Sequence, residues 1–495
     1  MVWCNIWSVV APAAVLSAAP RHRASVLLPA FPSAPPDPAA AALQHSLTNA
    51  IASGLPSVTI EGGNYNFGDS NLNIFGARGL AILAPDRVIL WFGPSSGVNI
   101  TNSEDLSLGN WTIDSGHHNG DAERREFERI ARVEEGGPVD RSAEASVNLN
   151  LLNCTRVSIS DVSIHRGNNM ILTAFNGGGA HKLTRVKFEP TLRGQTRDAI
   201  HFSDQRVGPT IVDSVIGHTG DDFFNIHTTL MVVVRCEERA CVMVNPHMEG
   251  PQMMNTIYHT NCVLHDLVPG DDQMSFYSWP TASFATTRYP GASLTVARRE
   301  RVTDEALLAE ALSLVPEISE TALVHNPVSL NGSRSMPFEA WDVWRVEFAE
   351  LVPSGVGRTA LVQIDTMSNA GAVLRNNTFV STSSNIGRFK SSHSVIEGNT
   401  FSHASIKNLE LSWLPQFFEG PVILSNVTVA NNNIEGEGAV PIHCGPFCGA
   451  QTCLYSEGDA PSGTWNRAGC TLCPDCSEGD TPWTTAIRLI NNTIV

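Results

Sequence analysis

The segments VLRNNTF, Val373 to Phe379, and VIEGNTF, Val395 to Phe401, are one unit written twice. Asn377 returns as Asn399 and Phe379 as Phe401, each after 22 residues. VANNNI from Val429 and LINNTI from Leu489 echo the unit with insertions between, and DVSI at Asp161 returns as RVKF at Arg185 after 24 residues. Several short strands in so short a period suit one coil of a solenoid. Alternate side chains of each strand point inward, and the inward apolar residues of successive coils fall into line. The repeat therefore predicts an all-β fold, a right-handed parallel β-helix. Recurrent asparagines fit its turns, because asparagine tolerates the left-handed backbone conformation and its amide can bond to the amide of the next coil.

Working outward, the strands SVTI, LAILA, RVILWF, LSLGNWTI, VSISDVSI and TIVDSVI alternate with Gly, Asn and Asp, with little helical periodicity. Between Cys236 and Thr366 the repeat disappears. That stretch holds LVPGDDQMSFYSW, ASLTVARRERV, WDVWRVEF and a helical TDEALLAEALSLV that Thr303 would cap, and it reads as an inserted small β-barrel carrying one helix. The chain is expected to divide into a signal peptide at 1–19, a Pro/Ala-rich linker at 20–42 and β-helix coils at 43–236. An inserted barrel follows at 237–366, then further coils at 367–440, a Cys-rich appendage at 441–480 and a last strand at 481–495. The mixed-charge segment 121–144 is a second excursion from the stack, or a solvated helix or loop.

Composition narrows the function. The 32 basic against 49 acidic side chains give a net charge of -17 without a basic stripe, which argues against nucleic acid and anionic membranes as partners. The apolar run Trp3 to Ala19 is short for a membrane span and reads as a secretory signal, with a disordered apolar tail as the alternative. Sequons at Asn99, Asn110, Asn153, Asn331, Asn376, Asn426 and Asn491 lean towards an extracellular glycoprotein. So do Cys444, Cys448, Cys453, Cys470, Cys473 and Cys476, whose crowding favours disulfides over zinc in that compartment. A soluble secreted protein without membrane insertion is expected. At Asn376 and Asn491 the recurrent NNT is read as architecture before glycosylation.

The chemistry lies in DAIHF from Asp198 and GDDFFNIH from Gly220. Asp198 and Asp222 are 24 residues apart, about one coil, so they should stack at the ~4.8 Å spacing of neighbouring strands. Asp221 adds a third carboxylate that alternation turns the other way. Like charges this close cannot all ionise without cost, so one keeps its proton. A carboxylic acid beside a carboxylate is what glycosidic cleavage needs. The same residues also suit turn capping, or calcium binding by stacked carboxylates.

RDAIHF at Arg197 and VDSVIGHTGDDFFNIHTTLMVV from Val212 resemble the catalytic core of glycoside hydrolase family 110. The likeness runs loosely over 147–436, through SSNIGRFKSSHSVIEGNTF and WLPQFFEGPVILSNVTVANNNI. That family comprises inverting exo-α-galactosidases built on a parallel β-helix with inserted β-barrel regions. The resemblance implies Asp198, Asp221 and Asp222 as catalytic residues, a galactose-terminated glycan as substrate, and no metal or organic cofactor. This chain departs from the family in Asn385-Ile386-Gly387-Arg388, where an Arg-Gly pair is usual, and in the bulk of Phe223 and Phe224.

Candidate substrate contacts are His201, Asn225, His227, Arg388, Trp413 and Glu419, with His165 and Asn168 one coil earlier. Each has a plainer reading: hydrogen-bonded histidines of the wall, a rung of an asparagine ladder, an exposed aromatic loop. The adjacent pair is expected to be the base, since two close carboxylates hold a water readily. Two other functions remain open. A polysaccharide lyase or epimerase would need a base such as Lys or Arg aimed at the sugar C5 carbon, and usually calcium, whereas the sequence shows few cations near the aspartates; a non-catalytic glycan-binding protein would need only the scaffold.

Overall fold

The structure is a computed structural model and describes residues 35–93, 96–115, 148–165, 170–188, 198–219, 221–244, 263–279, 286–314, 343–411, 419–435, 442–443, 464–472 and 484–494. The expectations for the signal, segment 121–144, Trp413, Asn168 and most of the cysteine cluster lie outside the described residues.

Three parallel strand ladders run the length of the stack, which makes the fold a parallel β-helix. In the first, the inward residues Val58, Ile82, Leu108, Ile159, Leu183, Ile211, Leu374, Ile396, Val429 and Leu489 are direct neighbours from coil to coil. All but Val58 are buried. The 22-residue repeat lies in register as read, Val373 on Val395, and the rings of Phe379 and Phe401 stack at 4.9 Å.

The NN pairs have a division of labour. Asn376, Asn431 and Asn491 take positive φ at the corner, as does Gly398 in the GN pair. The following residues Asn377, Asn399, Asn432 and Asn492 are buried and form an amide ladder, each Nδ2 donating to the next Oδ1 at 2.9–3.0 Å. A corner residue with φ near +55° favours Gly or Asn, and the buried amides satisfy one another where water cannot reach.

Helix Pro38–Ala52 begins inside the stretch expected as a linker. Proline at its first turn and the alanine run are compatible with a helix start, and the Asp37 side chain accepts from the N–H of Ala40. Ala40, Leu43 and Leu47 pack into the core against the first coil, covering apolar surface that a solenoid end would otherwise expose.

After strand Phe224–Thr229 the chain leaves the stack. It builds a closed barrel from Met231–Glu237, Ala240–Val244, Val343–Phe348, Leu294–Arg301, Gln273–Tyr277 and Leu361–Ile364. It rejoins the stack at Val373–Arg375, which lies directly on Thr210–Val212. The disulfide Cys236–Cys241 ties the first barrel hairpin. Helix Glu305–Leu312 is capped by Asp304, not Thr303: the Asp304 carboxylate stands three residues before the Leu307 N–H and accepts from it at 2.9 Å. No helix among the described residues is long and apolar enough to cross a membrane.

Candidate active site

The third ladder carries an outward column of polar residues at one register: Asn150, Thr173, His201, Asn225, Arg388 and Glu410. The site lies where this column crosses the barrel insertion. Strand Ile200–Ser203 pairs with Phe224–Thr229 in the register Ile200 to Phe224, and the Ala199 N–H donates to the Asp222 carbonyl at 3.1 Å. Asp198 and Asp222 therefore enter equivalent positions on neighbouring coils.

Asp198, Asp221 and Asp222 each place a carboxylate oxygen within 4.8 Å of the others. Asp222 is buried and Asp221 half-buried, but alternation does not turn Asp221 away as expected: it sits in a bend before the strand begins at Phe224, and its carboxylate joins the other two. The Asp221 carbonyl accepts from the hydroxyls of Thr219 and Thr382, which pins the turn at the strand entrance.

Around the aspartates lies a buried charge network. Arg388 Nε is 3.1 Å from Asp222 Oδ2 and 3.5 Å from a Glu410 oxygen, and its Nη1 is 3.7 Å from Glu419 Oε1. The Lys390 ammonium, with no exposed surface, donates to Glu419 Oε2. Asn225 Nδ2 donates to Glu419 Oε1 at 3.0 Å. His201 Nδ1 meets Asp198 Oδ2 at 2.9 Å, His201 Nε2 meets His227 Nε2 at 3.0 Å, and His227 Nδ1 meets the Thr228 carbonyl at 3.2 Å.

Electrostatics follow from this packing. Burial alone would raise the Glu419 carboxyl, but Lys390, His227 and Arg388 outweigh it and hold the group well below the usual carboxylate range. Burial raises the Glu410 carboxyl by more than Lys390 and Arg388 lower it. Burial disfavours charge on Arg388, yet Asp222, Glu419 and Glu410 hold its pKa above the ordinary value. The carboxyls here outnumber the cations, so protons must make up part of the balance.

The three aspartates have the oxygen spacing of a cation site, but their donor set is partly filled. A guanidinium sits on Asp222 and an imidazole on Asp198, and a divalent ion among the three would meet the Arg388 charge at close range. The residues do not fit a bound metal.

The structure thus gathers Asp198, Asp221, Asp222, His201, Asn225, His227, Arg388 and Glu419. Asn225 holds Glu419 rather than extending the asparagine ladder, and the histidines are bonded into the wall. Glu419 sits on a short strand antiparallel to Thr228–Thr229, inside the charge network. His165 ends Ser163–His165 on the second ladder, opposite Asp114, on a different face from the site column. Lys390 and Glu410 escaped the sequence reading, and the shortage of cations it inferred is corrected by Arg388 and Lys390. The signal was present in RFK: Phe389 turns into the core, so Arg388 and Lys390 share the opposite face.

No protein-family model matches the chain, and no curated protein does. Among solved structures the chain is similar to the A-module of the Azotobacter vinelandii mannuronan C-5 epimerase AlgE4. The identity is 8% over 80% of this chain and 84% of that chain, with a TM-score of 0.22. A likeness at that level assigns no activity.

Proposed function

We propose that the protein is a secreted exo-glycoside hydrolase that removes terminal α-galactosyl residues, with water as the nucleophile and inversion at the anomeric carbon. The observation that carries the reading is the convergence of Asp198, Asp221 and Asp222 from two neighbouring coils. The sugar and the stereochemistry rest on the resemblance to family 110.

A water making two hydrogen bonds of about 2.8 Å spans acceptors roughly 4.5–5 Å apart. Two of the three carboxylates can therefore hold the attacking water between them while the third protonates the leaving oxygen. Asp222, ion-paired with Arg388, and its neighbour Asp221 hold the water, and Asp198 supplies the proton. Facing pairs of carboxyls about 6.5–9.5 Å apart usually invert and pairs about 5–5.5 Å apart usually retain. The close spacing here therefore needs a water bridged by two carboxylates for inversion to hold.

The test is a panel of aryl α- and β-glycosides, with the first-formed anomer followed by NMR. Turnover of α-galactosides with inversion is expected, together with a loss of about 10²–10⁴-fold in kcat for Asp222→Asn. Retention would overturn the bridged water, and the absence of any α-galactoside turnover would overturn the hydrolase itself.

The presence of Arg388 and Lys390 favours a second reading, a lyase or epimerase on an acidic glycan, whose carboxylates a cation would neutralise. Each of these cations already has a protein carboxylate as partner, which weighs against it. Formation of an unsaturated uronate product, abolished by chelator, would favour it over hydrolysis.

A further inference from the structure

The contacts running from Asp198 to the Thr228 carbonyl constrain the number of protons they contain. A carbonyl oxygen only accepts, so at 3.2 Å the His227 Nδ1 must carry hydrogen. The two Nε2 atoms, 3.0 Å apart, need one hydrogen between them, since two lone pairs would repel. The contact from His201 Nδ1 to Asp198 Oδ2, at 2.9 Å, needs another. Three hydrogen bonds thus require three protons, whereas an aspartate carboxylate with two neutral imidazoles supplies two. The spare proton resides on Asp198, His201 or His227, and each placement keeps all three bonds.

We propose that Asp198, His201 and His227 act as one proton-holding unit, locked by the Thr228 carbonyl, whose spare proton is the one that the site delivers to the leaving group. His201 and His227 are positioning residues that act through Asp198. The chemical step rests on the hydrolase reading above; the proton count does not.

The surroundings suit the extra positive charge. Asp221 and Asp222 lie beside Asp198, Glu419 Oε1 is 4.0 Å from His227 Nε2, and the Phe175 ring packs 5.5 Å from His201. Arg388 and Lys390 oppose it, but they are engaged by Asp222 and Glu419, and Glu410 adds a further carboxyl behind them.

In the reaction, the glycosidic C–O bond breaks and its electron pair goes to the leaving oxygen, which takes the unit's proton from Asp198. Water bonds to the anomeric carbon and gives its proton to Asp222. The unit is left with two protons for three bonds. It takes one up from solvent after product leaves, as Asp222 releases one.

Two measurements decide the matter. The first is nitrogen-15 histidine NMR of the unmutated protein, with the two rings assigned by their loss in His201→Gln and His227→Phe. Near neutral pH, His227 Nδ1 should be protonated, both Nε2 and His201 Nδ1 should show shared-proton shifts, and the two rings should change together in a single step as pH rises. Two neutral rings, or rings that titrate independently, would overturn the proposal whatever the protein's substrate.

The second is the pH profile of kcat/KM on an aryl α-galactoside. In His227→Phe, His201 becomes free to donate from Nδ1 to an ionised Asp198, so the spare proton is no longer required. The alkaline limb should move to lower pH by about one unit or more, and phenyl leaving groups should lose about tenfold more than dinitrophenyl ones. A uniform loss at every pH and for every leaving group would mean a merely structural role. If no aryl glycoside is turned over, the hydrolase reading fails while the NMR result still decides the unit.

Discussion

Lys390 shows how a single buried residue controls the charge of the site. Its ammonium is sealed from solvent and bonded to Glu419, which also faces Asn225, Arg388 and His227. Lys390→Met would leave two buried carboxyls, Glu410 and Glu419, without their ammonium, and breaking such a pair from one side costs about 3–5 kcal/mol. The pH dependence has a defined sign. The Glu419 carboxyl is depressed in the folded protein below its ordinary 4.5, so the stability it contributes is present above that value and is lost as pH falls through the folded value. Urea unfolding of Lys390→Met should show the full deficit near pH 7 and a shallower decline on the acid side than the unmutated protein. A deficit under about 1 kcal/mol near pH 7 would contradict this account.

At the level of elements, strand Thr378–Phe389 serves all at once as core, turn and site. Its first part stacks Phe379 on Phe401, and its end delivers Arg388 to Asp222. Gly387 makes the delivery possible: a Cβ there would stand 2.4 Å from Cε2 of Phe224. That ring cannot retreat easily, because Phe379, Phe389 and Phe401 surround it. The bulk of Phe224 and the glycine beside Arg388 are thus one packing solution. Gly387→Ala should cost about 1–3 kcal/mol through overpacking. It should also lower kcat/KM by about 10–100-fold by displacing Arg388 from Asp222. Adding Phe224→Leu should restore much of both, and a double variant no better than the single one would refute the coupling.

For the whole molecule, the question is how a barrel is inserted into a stack without breaking it. Arg206 of the stack forms a two-pronged ion pair with the fully buried Asp272 of the barrel, which also accepts from Thr366 and the Val268 N–H. Arg206→Ala should cost about 1–3 kcal/mol, because Asp272 is buried but Arg206 is partly exposed and two other donors stay on the carboxylate. It should also raise hydrogen exchange in the barrel strands before the coils, and equal exchange in both would show that the clamp does not hold the barrel. The parallel β-helix was legible in the 22–24-residue period and in strict alternation, because both are local properties that each coil repeats. The asparagine corners were legible for the same reason, as was the pairing of Asp198 with Asp222, which needs only one uninterrupted coil. The helix from Pro38 was obscured by a composition that also describes a linker. Arg388, Lys390, Glu410 and Glu419 could not be placed around the aspartates by counting, since residues such as Ser214 and Asn377 become neighbours across 163 positions. By itself the sequence determined the coil and the carboxylates it stacks. Only the tertiary structure decided which cations, histidines and buried acids surround them, because register across an inserted barrel is set by how the chain returns to the stack, and spacing along the chain does not record that return.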